Sequence, residues 1–405
     1  MTISGPRLGI LGGGQLSRML VQASSRLGLE PTVFALPGEP ATQVCPRIFH
    51  GSMKNSKDLR GFFAELDLVI FENEFIPCDL LQQAAGETSV HFSPPLSAMR
   101  FVQDKLNQKK TLARLRIPSA SYIPKAQHDS EQASENWLRE VFQAFPRGAV
   151  LKWAQLGYDG KGTFFLNSPK DIPQAALFCT EADLKGVLLY AEERVAFKRE
   201  LAIVGCLSLN GEFASYPLTI SQQRNGICER VHGPAVSFGV PRRLETLARK
   251  HAEKLARELH LTGTFALEFF ETRDGNLLVN EIAPRVHNTG HFTLDASDTD
   301  QFENHLRAVL GLPLGSTRSE PAFAMLNLLG PEELMAKMLN PPLPVPGAQV
   351  HLHWYGKKEI TRGRKMGHLN GSASSKARLK SVLLELEASV GDWCDSVLKR
   401  KGAGK

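Results

Sequence analysis

Residues 265–283 read FALEFFETRDGNLLVNEIA, and this stretch decides the fold. Phe265–Glu271 and Leu277–Ile282 are rich in aromatic and branched apolar residues, so each reads as a strand, and Asp274-Gly275 between them is a strong hairpin signal. With those two residues at the centre of the turn, Glu268 falls directly opposite Glu281. Cβ atoms of such a pair stand about 4.5–5.5 Å apart, and like charges placed so destabilise a sheet. A divalent cation removes the conflict, and hard carboxylate oxygens suit magnesium. Asn280 adds an amide oxygen nearby, although strict alternation turns it to the other face. The competing explanations are neutralisation by a lysine or arginine, or a longer loop that shifts the register.

Outward from the hairpin, Arg285, His287, Asn288 and His291 follow at once. Polar and basic residues directly behind an acidic pair suit an anionic substrate or a developing acyl phosphate; helix capping and surface contacts are the structural alternative. Upstream, Val150–Ala154 reads as a strand carrying Lys152, followed by Gly157-Tyr158-Asp159-Gly160-Lys161-Gly162 and a returning strand Thr163–Leu166. Three glycines and a lysine at a hairpin tip permit close backbone approach and a mobile positive charge, so the tip can fold over polyphosphate. A flexible hairpin with a solvated lysine fits the same residues, since Asp-Gly is itself a turn signal.

The first hundred residues alternate strand and helix signals: strands at Arg7–Leu11, Thr32–Leu36 and Leu68–Phe71, helices at Gln15–Leu27 and Leu59–Glu65. That alternation implies a parallel sheet with helices packed on it. Gly12-Gly13-Gly14 lies between the first strand and helix, where backbone N–H groups can hold a phosphate. Ser17 stands at the third glycine of a dinucleotide fingerprint, and Ala35 stands where a ribose-binding acid is expected. A phosphate-bearing substrate, a structural turn and a dinucleotide site stay open, in that order. Further on, Gln103–Leu115 reads as a basic helix stopped by Ile117-Pro118, and residues 150 to 282 as strands and hairpins around a helix at Leu244–Leu259. A proline run from Pro341 to Pro346, a strand at Gln349–Tyr355 and a helix at Lys376–Leu398 complete an α/β and α+β chain.

At 405 residues the chain has room for two to four domains, and 42% hydrophobic with 22% charged residues is ordinary for a globular protein. Lys399, Arg400, Lys401 and Lys405 supply four of the six net positive charges, leaving +2 for the body. That is too little for a polyanion-binding surface, and the end reads as a solvated tail. No apolar run approaches the roughly 18 residues of a membrane span, and the glycines break up any signal-peptide pattern. Cys45, Cys78, Cys179, Cys206, Cys228 and Cys394 lack metal-ligand or redox spacing, as expected of reduced cysteines in a cytosolic enzyme.

Asn280-Glu281-Ile282-Ala283-Pro284-Arg285, followed by His287-Asn288-Thr289-Gly290-His291, closely resembles the signature of the N5-carboxyaminoimidazole ribonucleotide synthetases. These are ATP-grasp enzymes of purine biosynthesis, the ATPase subunit of phosphoribosylaminoimidazole carboxylase. Gly12-Gly13-Gly14-Gln15-Leu16, Phe71-Glu72-Asn73-Glu74, Gln103-Asp104-Lys105, Gly157–Gly162, Gln301-Phe302-Glu303 and Gly363–His368 are similar to the same family, in family order. The resemblance implies an ATP-grasp fold: a Rossmann-like pre-ATP-grasp domain over residues 1–100, an ATP-grasp domain over 101–315 with a lid at about 118–195, and a small C-terminal domain over 316–405. It implies that ATP phosphorylates bicarbonate to carboxyphosphate and that carbon dioxide passes to the amine of 5-aminoimidazole ribonucleotide.

By the same resemblance Lys105 and Lys152 bind ATP phosphates and Gly157–Thr163, including Tyr158, Asp159, Gly160, Lys161 and Gly162, forms a closing flap. Glu192, Glu193, Arg194 and Val195 match the adenine hinge, Glu200 the ribose contact, and Gln223 and Asn280 further nucleotide contacts. Glu268 and Glu281 hold magnesium, two ions in all, and Arg285, Lys161 and Glu281 carry the chemistry. Gln15, Glu72, Asn73, Glu74, Tyr158, Asp159, Arg285, His287, Asn288, Thr289, Lys357, Arg364 and Lys365 face the ribonucleotide. A cytoplasmic homodimer without nucleic-acid or membrane partners is expected. Against the family pattern, Ser17 replaces a glycine, Ala35 an aspartate, Val286 a proline and Thr289 a serine, and Ser221-Gln222-Gln223 lies where an asparagine and a histidine are usual. A paralogous ligase joining another acid and amine, and a nucleotide-binding regulator without turnover, are the rival readings.

Overall fold

The computed structural model describes residues 5–86, 88–126, 131–155 and 162–399. Gly157, Tyr158, Asp159, Gly160 and Lys161 of the expected flap, and the basic end from Arg400, lie outside the described residues. The chain forms two compact units: one holds the described residues up to Ala98, Leu201–Leu267 and the chain from Ile282 onward, the other Met99–Glu200 and Glu268–Glu281.

The first unit opens with β1 (Leu8–Leu11), α1 (Gln15–Arg26), β2 (Thr32–Ala35), β3 (Arg47–His50), α2 (Ser56–Phe63), β4 (Leu68–Phe71), α3 (Cys78–Ala85) and β5 (His91–Ser93). The strands pair in parallel in the order β3-β2-β1-β4-β5. All four residues of β1 and of β4 are buried, which is why these strands read as unbroken apolar runs. Helix α2 begins earlier than the apolar pattern suggests, because Asn55 caps it by accepting from Lys57 N. Leu16, Met19, Leu20 and Ala23 of α1 pack on Ile10 and Val33, and Val286, Phe302, Leu306 and Val309 join the same core from far along the chain.

The second unit contains α4 (Leu96–Gln103) from Met99 on, then α5 (Lys105–Arg114), β6 (Tyr122–Pro124), α6 (Glu131–Ala144), β7 (Ala149–Trp153), β8 (Thr163–Leu166), α7 (Ile172–Leu184) and β9 (Leu189–Glu193). The basic helix expected at Gln103–Leu115 is broken at Asp104, whose backbone is extended and whose carboxylate accepts from Leu106 N and Asn107 N to start α5 afresh. An antiparallel sheet in the order β6-β9-β7-β8 packs on α6 and α7 through Leu138, Val141, Leu151, Trp153, Ala175 and Cys179.

Then come β10 (Phe197–Leu207), β11 (Phe213–Ser215), β12 (Thr219–Arg224), β13 (Ile227–Gly233), α8 (Arg242–Leu259), β14 (Gly263–Thr272) and β15 (Leu277–Ala283), the last two giving their hairpin end to the second unit. The first unit closes with α9 (Thr293–Ala296), α10 (Gln301–Val309), β16 (Ala322–Leu329), β17 (Met338–Leu339), β18 (His351–Trp354), β19 (Glu359–Ile360), β20 (Lys365–Ala373) and α11 (Lys376–Lys399). Strands β12-β13-β16-β20-β18 form a continuous antiparallel run. Leu379, Val382, Leu386, Trp393 and Val397 of α11 cover it. Trp393 Nε1 donates to Pro342 O at 3.0 Å, so the proline run that reads as a linker is tied to this core. All six cysteines are unbridged, and no helix among the described residues is long and apolar enough to cross a membrane.

Candidate active site

In the second unit, the backbone N–H of Lys105 donates to Ala154 O at 2.8 Å, which sets the first turn of α5 against the end of β7. On β7, Ala149, Leu151 and Trp153 are buried, so alternation sends Lys152 to the opposite face. There it meets the carboxylate of Glu192 on β9, which is also gripped by Lys109 of α5. Lys105, Lys109, Lys152, Tyr190, Asn280 and Glu281 line one cavity. Burial alone would raise the Glu192 carboxyl, but Lys152 and Lys109 outweigh it and hold it below the ordinary value. Burial, reinforced by Glu192, Glu281 and Asp104, pushes the Tyr190 hydroxyl far up, so it stays neutral. The cavity is therefore built from ammonium groups and hard oxygens, a combination that suits a polyphosphate and its counter-ion.

The hairpin that supplies the oxygens turns differently from the sequence expectation. Thr272 N donates to Asn276 O at 2.9 Å and Gly275 N to Thr272 O at 3.0 Å. The tip is thus the three-residue loop Arg273-Asp274-Gly275, with Gly275 at φ +76°, and not a two-residue turn. Thr272 faces Asn276 at the base of this loop, so the pairing of Glu268 with Glu281 no longer follows from the turn. Asn280, which strict alternation would turn away, lines the cavity beside Glu281.

Glu281 is exposed, Glu268 and Asn280 are half-buried, and among the described residues no cation pairs with Glu281. The buried Glu271 of the same hairpin is, by contrast, neutralised by Arg199 at 2.7 Å. An unpaired carboxylate beside an amide oxygen fits magnesium. Among the described residues no group of three or more Asp, Glu, His or Cys forms a metal site by itself. An ion held here would complete its shell with oxygens of another molecule.

The remaining nucleotide candidates divide. Gly162 and Thr163 lie at the start of β8: Trp153 N donates to Gly162 O at 2.9 Å, and a Cβ at Gly162 would stand 2.8 Å from the Trp153 ring. Glu193 and Arg194 turn to other partners, Arg147 at 3.4 Å and Asn167 at 2.9 Å. Val195 and Glu200 are half-buried, and burial raises the Glu200 carboxyl. Gln223 sits on β12 of the first unit opposite Cys228, next to a bulge.

The first unit gathers most of the ribonucleotide candidates. Gly12 lies at φ +118°, and a Cβ there would stand 2.8 Å from Glu72 Cβ. The Glu72 carboxylate rests on the glycine loop and accepts from Leu16 N in the first turn of α1. An internal carboxylate, not a phosphate, thus takes a donor at this helix N-terminus. Burial raises the Glu72 carboxyl, opposed by the Asn73 amide and Arg285. Of the two departures near this loop, Ser17 is fully buried and donates to Gly12 O, and Ala35 is fully buried beside Gly13.

Glu74 receives the Arg285 guanidinium through Nε and, at 3.1 Å, through Nη2. Val286 next to it is fully buried in the N-terminal core. His287 is clamped through its backbone: Gln301 accepts from His287 N and donates to His287 O, both at 2.8 Å. Its ring bonds Thr289 Oγ1 at 2.8 Å, and burial, with help from Arg285 and Lys365, draws its pKa well below the ordinary value. Asn288 is turned inward to a reciprocal amide pair with Asn327, at 3.0 and 2.7 Å. Lys357 donates to Lys365 O at 2.6 Å, and exposed Arg364 to Glu359 O at 2.8 Å. Gln15 is half-buried at the start of α1.

Sequence reasoning missed Lys109 and gave Gln301 no role. Lys109 was findable, since it lies one helical turn after Lys105 on the same face. Gln301 was not, because its partners come from a loop ten or more residues away.

Residues 6–103 match the ribonucleotide synthetase preATP-grasp domain, 110–302 the ATP-grasp domain and 324–382 the phosphoribosylaminoimidazole carboxylase C-terminal domain. The N5-carboxyaminoimidazole ribonucleotide synthase of Mycobacterium tuberculosis is 37% identical over 400 residues, covering 96% of this chain and 89% of that one. The crystal structure of N5-carboxyaminoimidazole ribonucleotide synthetase from Thermus thermophilus has a TM-score of 0.80 at 33% identity, over 94% of this chain and 98% of that one. The Aspergillus clavatus enzyme in complex with ADP and 5-aminoimidazole ribonucleotide has a TM-score of 0.79 at 30% identity, over 96% and 99%. With its three domain types in order and identity of this level along nearly the whole length, the chain belongs to the N5-carboxyaminoimidazole ribonucleotide synthase family of ATP-grasp ligases.

Proposed function

We propose that this protein uses ATP to phosphorylate bicarbonate and passes the activated carboxyl group to the amine of 5-aminoimidazole ribonucleotide, giving N5-carboxyaminoimidazole ribonucleotide, ADP and phosphate. The observation that carries the reading is the cavity in which Lys105 and Lys152 meet Asn280 and Glu281. The Aspergillus relative's complex with ADP and the ribonucleotide supports the choice of substrates.

Phosphoryl transfer needs alignment and charge neutralisation more than a strong protein base. Lys105 and Lys152 neutralise phosphate oxygens, and Asn280, Glu281 and Glu268 present oxygens for magnesium. Magnesium, when bound, offsets the charge of the phosphates and steadies the leaving ADP. The segment Gly157–Gly162, with Lys161, covers the phosphates and keeps water from the short-lived carboxyphosphate. Arg285, steadied by Glu74, faces negative charge on the acyl phosphate. Glu72, Asn73, His287 and the basic groups of Lys357, Arg364 and Lys365 orient the ribonucleotide. Assembly as a homodimer belongs to the same reading, and light scattering tests it.

The testing experiment is ATP-dependent phosphate release with bicarbonate and 5-aminoimidazole ribonucleotide added singly and together. Full rate only with both supports the reading. Turnover that depends on a different acid and amine would replace it with a paralogous ligase, and nucleotide binding without turnover with a regulator.

A further inference from the structure

Lys152, which lines the cavity beside Lys105, does not by itself supply a net positive charge there. Its ammonium touches the carboxylate of Glu192, a side chain only 4% exposed. A lysine and a carboxylate in contact away from solvent form a neutral pair with little residual pull on a phosphate. The same carboxylate, however, is also in contact with Lys109, itself 4% exposed, whose Nζ donates to Ala120 O at 3.2 Å as well. Two ammonium groups share one carboxylate.

We propose that Lys109 is a positioning residue whose charge leaves the Lys109–Glu192–Lys152 cluster with one excess positive charge, and that this excess makes Lys152 a phosphate-binding group. The proposal rests on the reading of the cavity as the nucleotide's phosphate site. Lys109 acts by occupying half of Glu192. It holds the carboxylate ionised and fixed by a second donor, so Lys152 stays oriented without being fully neutralised. Helical spacing puts Lys109 where it must be, one turn after Lys105 on α5. The Ala120 carbonyl holds it from behind.

Charge counting separates this role from a structural one. Lys109→Met leaves Lys152 captured by Glu192 in a neutral pair. Adding Glu192→Gln to Lys109→Met removes the captor and returns the cluster to one positive charge, although it deletes a second native contact. A structural role predicts that the double variant is worse than the single; the charge role predicts rescue.

The test measures binding of magnesium tripolyphosphate, which carries no adenine, and of magnesium ADP by titration calorimetry. The wild type is expected to bind magnesium ADP; a wild type that binds neither probe refutes the nucleotide reading itself. Lys109→Met is expected to weaken both probes by at least about tenfold, and Lys109→Met/Glu192→Gln to regain most of the tripolyphosphate affinity. Wild-type binding by Lys109→Met, or a double variant as weak as the single, overturns the proposal. Should Lys109→Met fail to fold, Glu192→Gln with Lys109 intact decides: tripolyphosphate binding at least equal to wild type supports the charge count, and weaker binding overturns it.

Discussion

Arg285 and Glu74 stand 211 positions apart and meet in a two-pronged ion pair, with Nε and Nη2 each donating to one carboxylate oxygen. The fully buried Val286 next to Arg285 sits in the core of the N-terminal parallel sheet, which brings the two segments together. Both side chains are largely shielded, so losing one partner costs more than it would at the surface. Glu74→Gln is expected to lower folding stability by about 1–3 kcal/mol, between the values for surface and buried pairs. It should also raise KM for the ribonucleotide more than KM for ATP, because Arg285 loses its alignment. Denaturant unfolding and steady-state kinetics check this, and equal change in both KM values would contradict it.

The cavity oxygens carry the second prediction. Glu281→Gln keeps the shape and removes the charge that no described cation neutralises. Its kcat is expected to fall by about 100-fold or more, the scale of several kcal/mol of lost charge stabilisation, and the magnesium dependence to shift to higher concentration. Glu268→Gln should move in the same direction. Rate measurements across a magnesium titration read both, and near-wild-type behaviour in the two variants would rule out the proposed ion site.

Acid should destabilise the first unit through its buried imidazoles. Burial draws His287, His291 and His368 well below their ordinary value and His305 to about 4. Unfolded, each would titrate near 6.5, so as pH falls below that value the unfolded chain takes up protons that the native fold refuses. Stability is therefore lost on acidification, at up to about 1.4 kcal/mol per pH unit for each histidine. Glu72, whose carboxyl is raised, works in the opposite sense but is a single group. Urea midpoints should change little between pH 7.5 and about 7 and fall with increasing slope from about 6.5 to 5; a flat profile would contradict the buried neutral assignment.

Much of this architecture was legible because local signals agreed with the fold. Leu68–Phe71 and Thr163–Leu166 were read to the residue, since apolar runs bounded by turn residues leave little freedom. The break at Asp104 was missed because a capping carboxylate inside a helical pattern looks like an ordinary polar position until its backbone turns. The turn between Glu268 and Glu281 was read as two residues and has three, because Asp-Gly fits both kinds. The inward turn of Asn288 to Asn327 and the Gln301 clamp on His287 were out of reach, since each depends on long-range packing that no local pattern encodes.

Whether the ATP phosphoryl group is placed on a bicarbonate oxygen is tested most directly by following that oxygen. With heavy-oxygen-labelled bicarbonate, ATP and 5-aminoimidazole ribonucleotide, cleavage of carboxyphosphate at its carbon–oxygen bond leaves the bridging atom on phosphorus. Mass spectrometry of the released phosphate should find one labelled oxygen per molecule. Phosphate released at full rate without label would contradict activation of bicarbonate and, with it, the central claim.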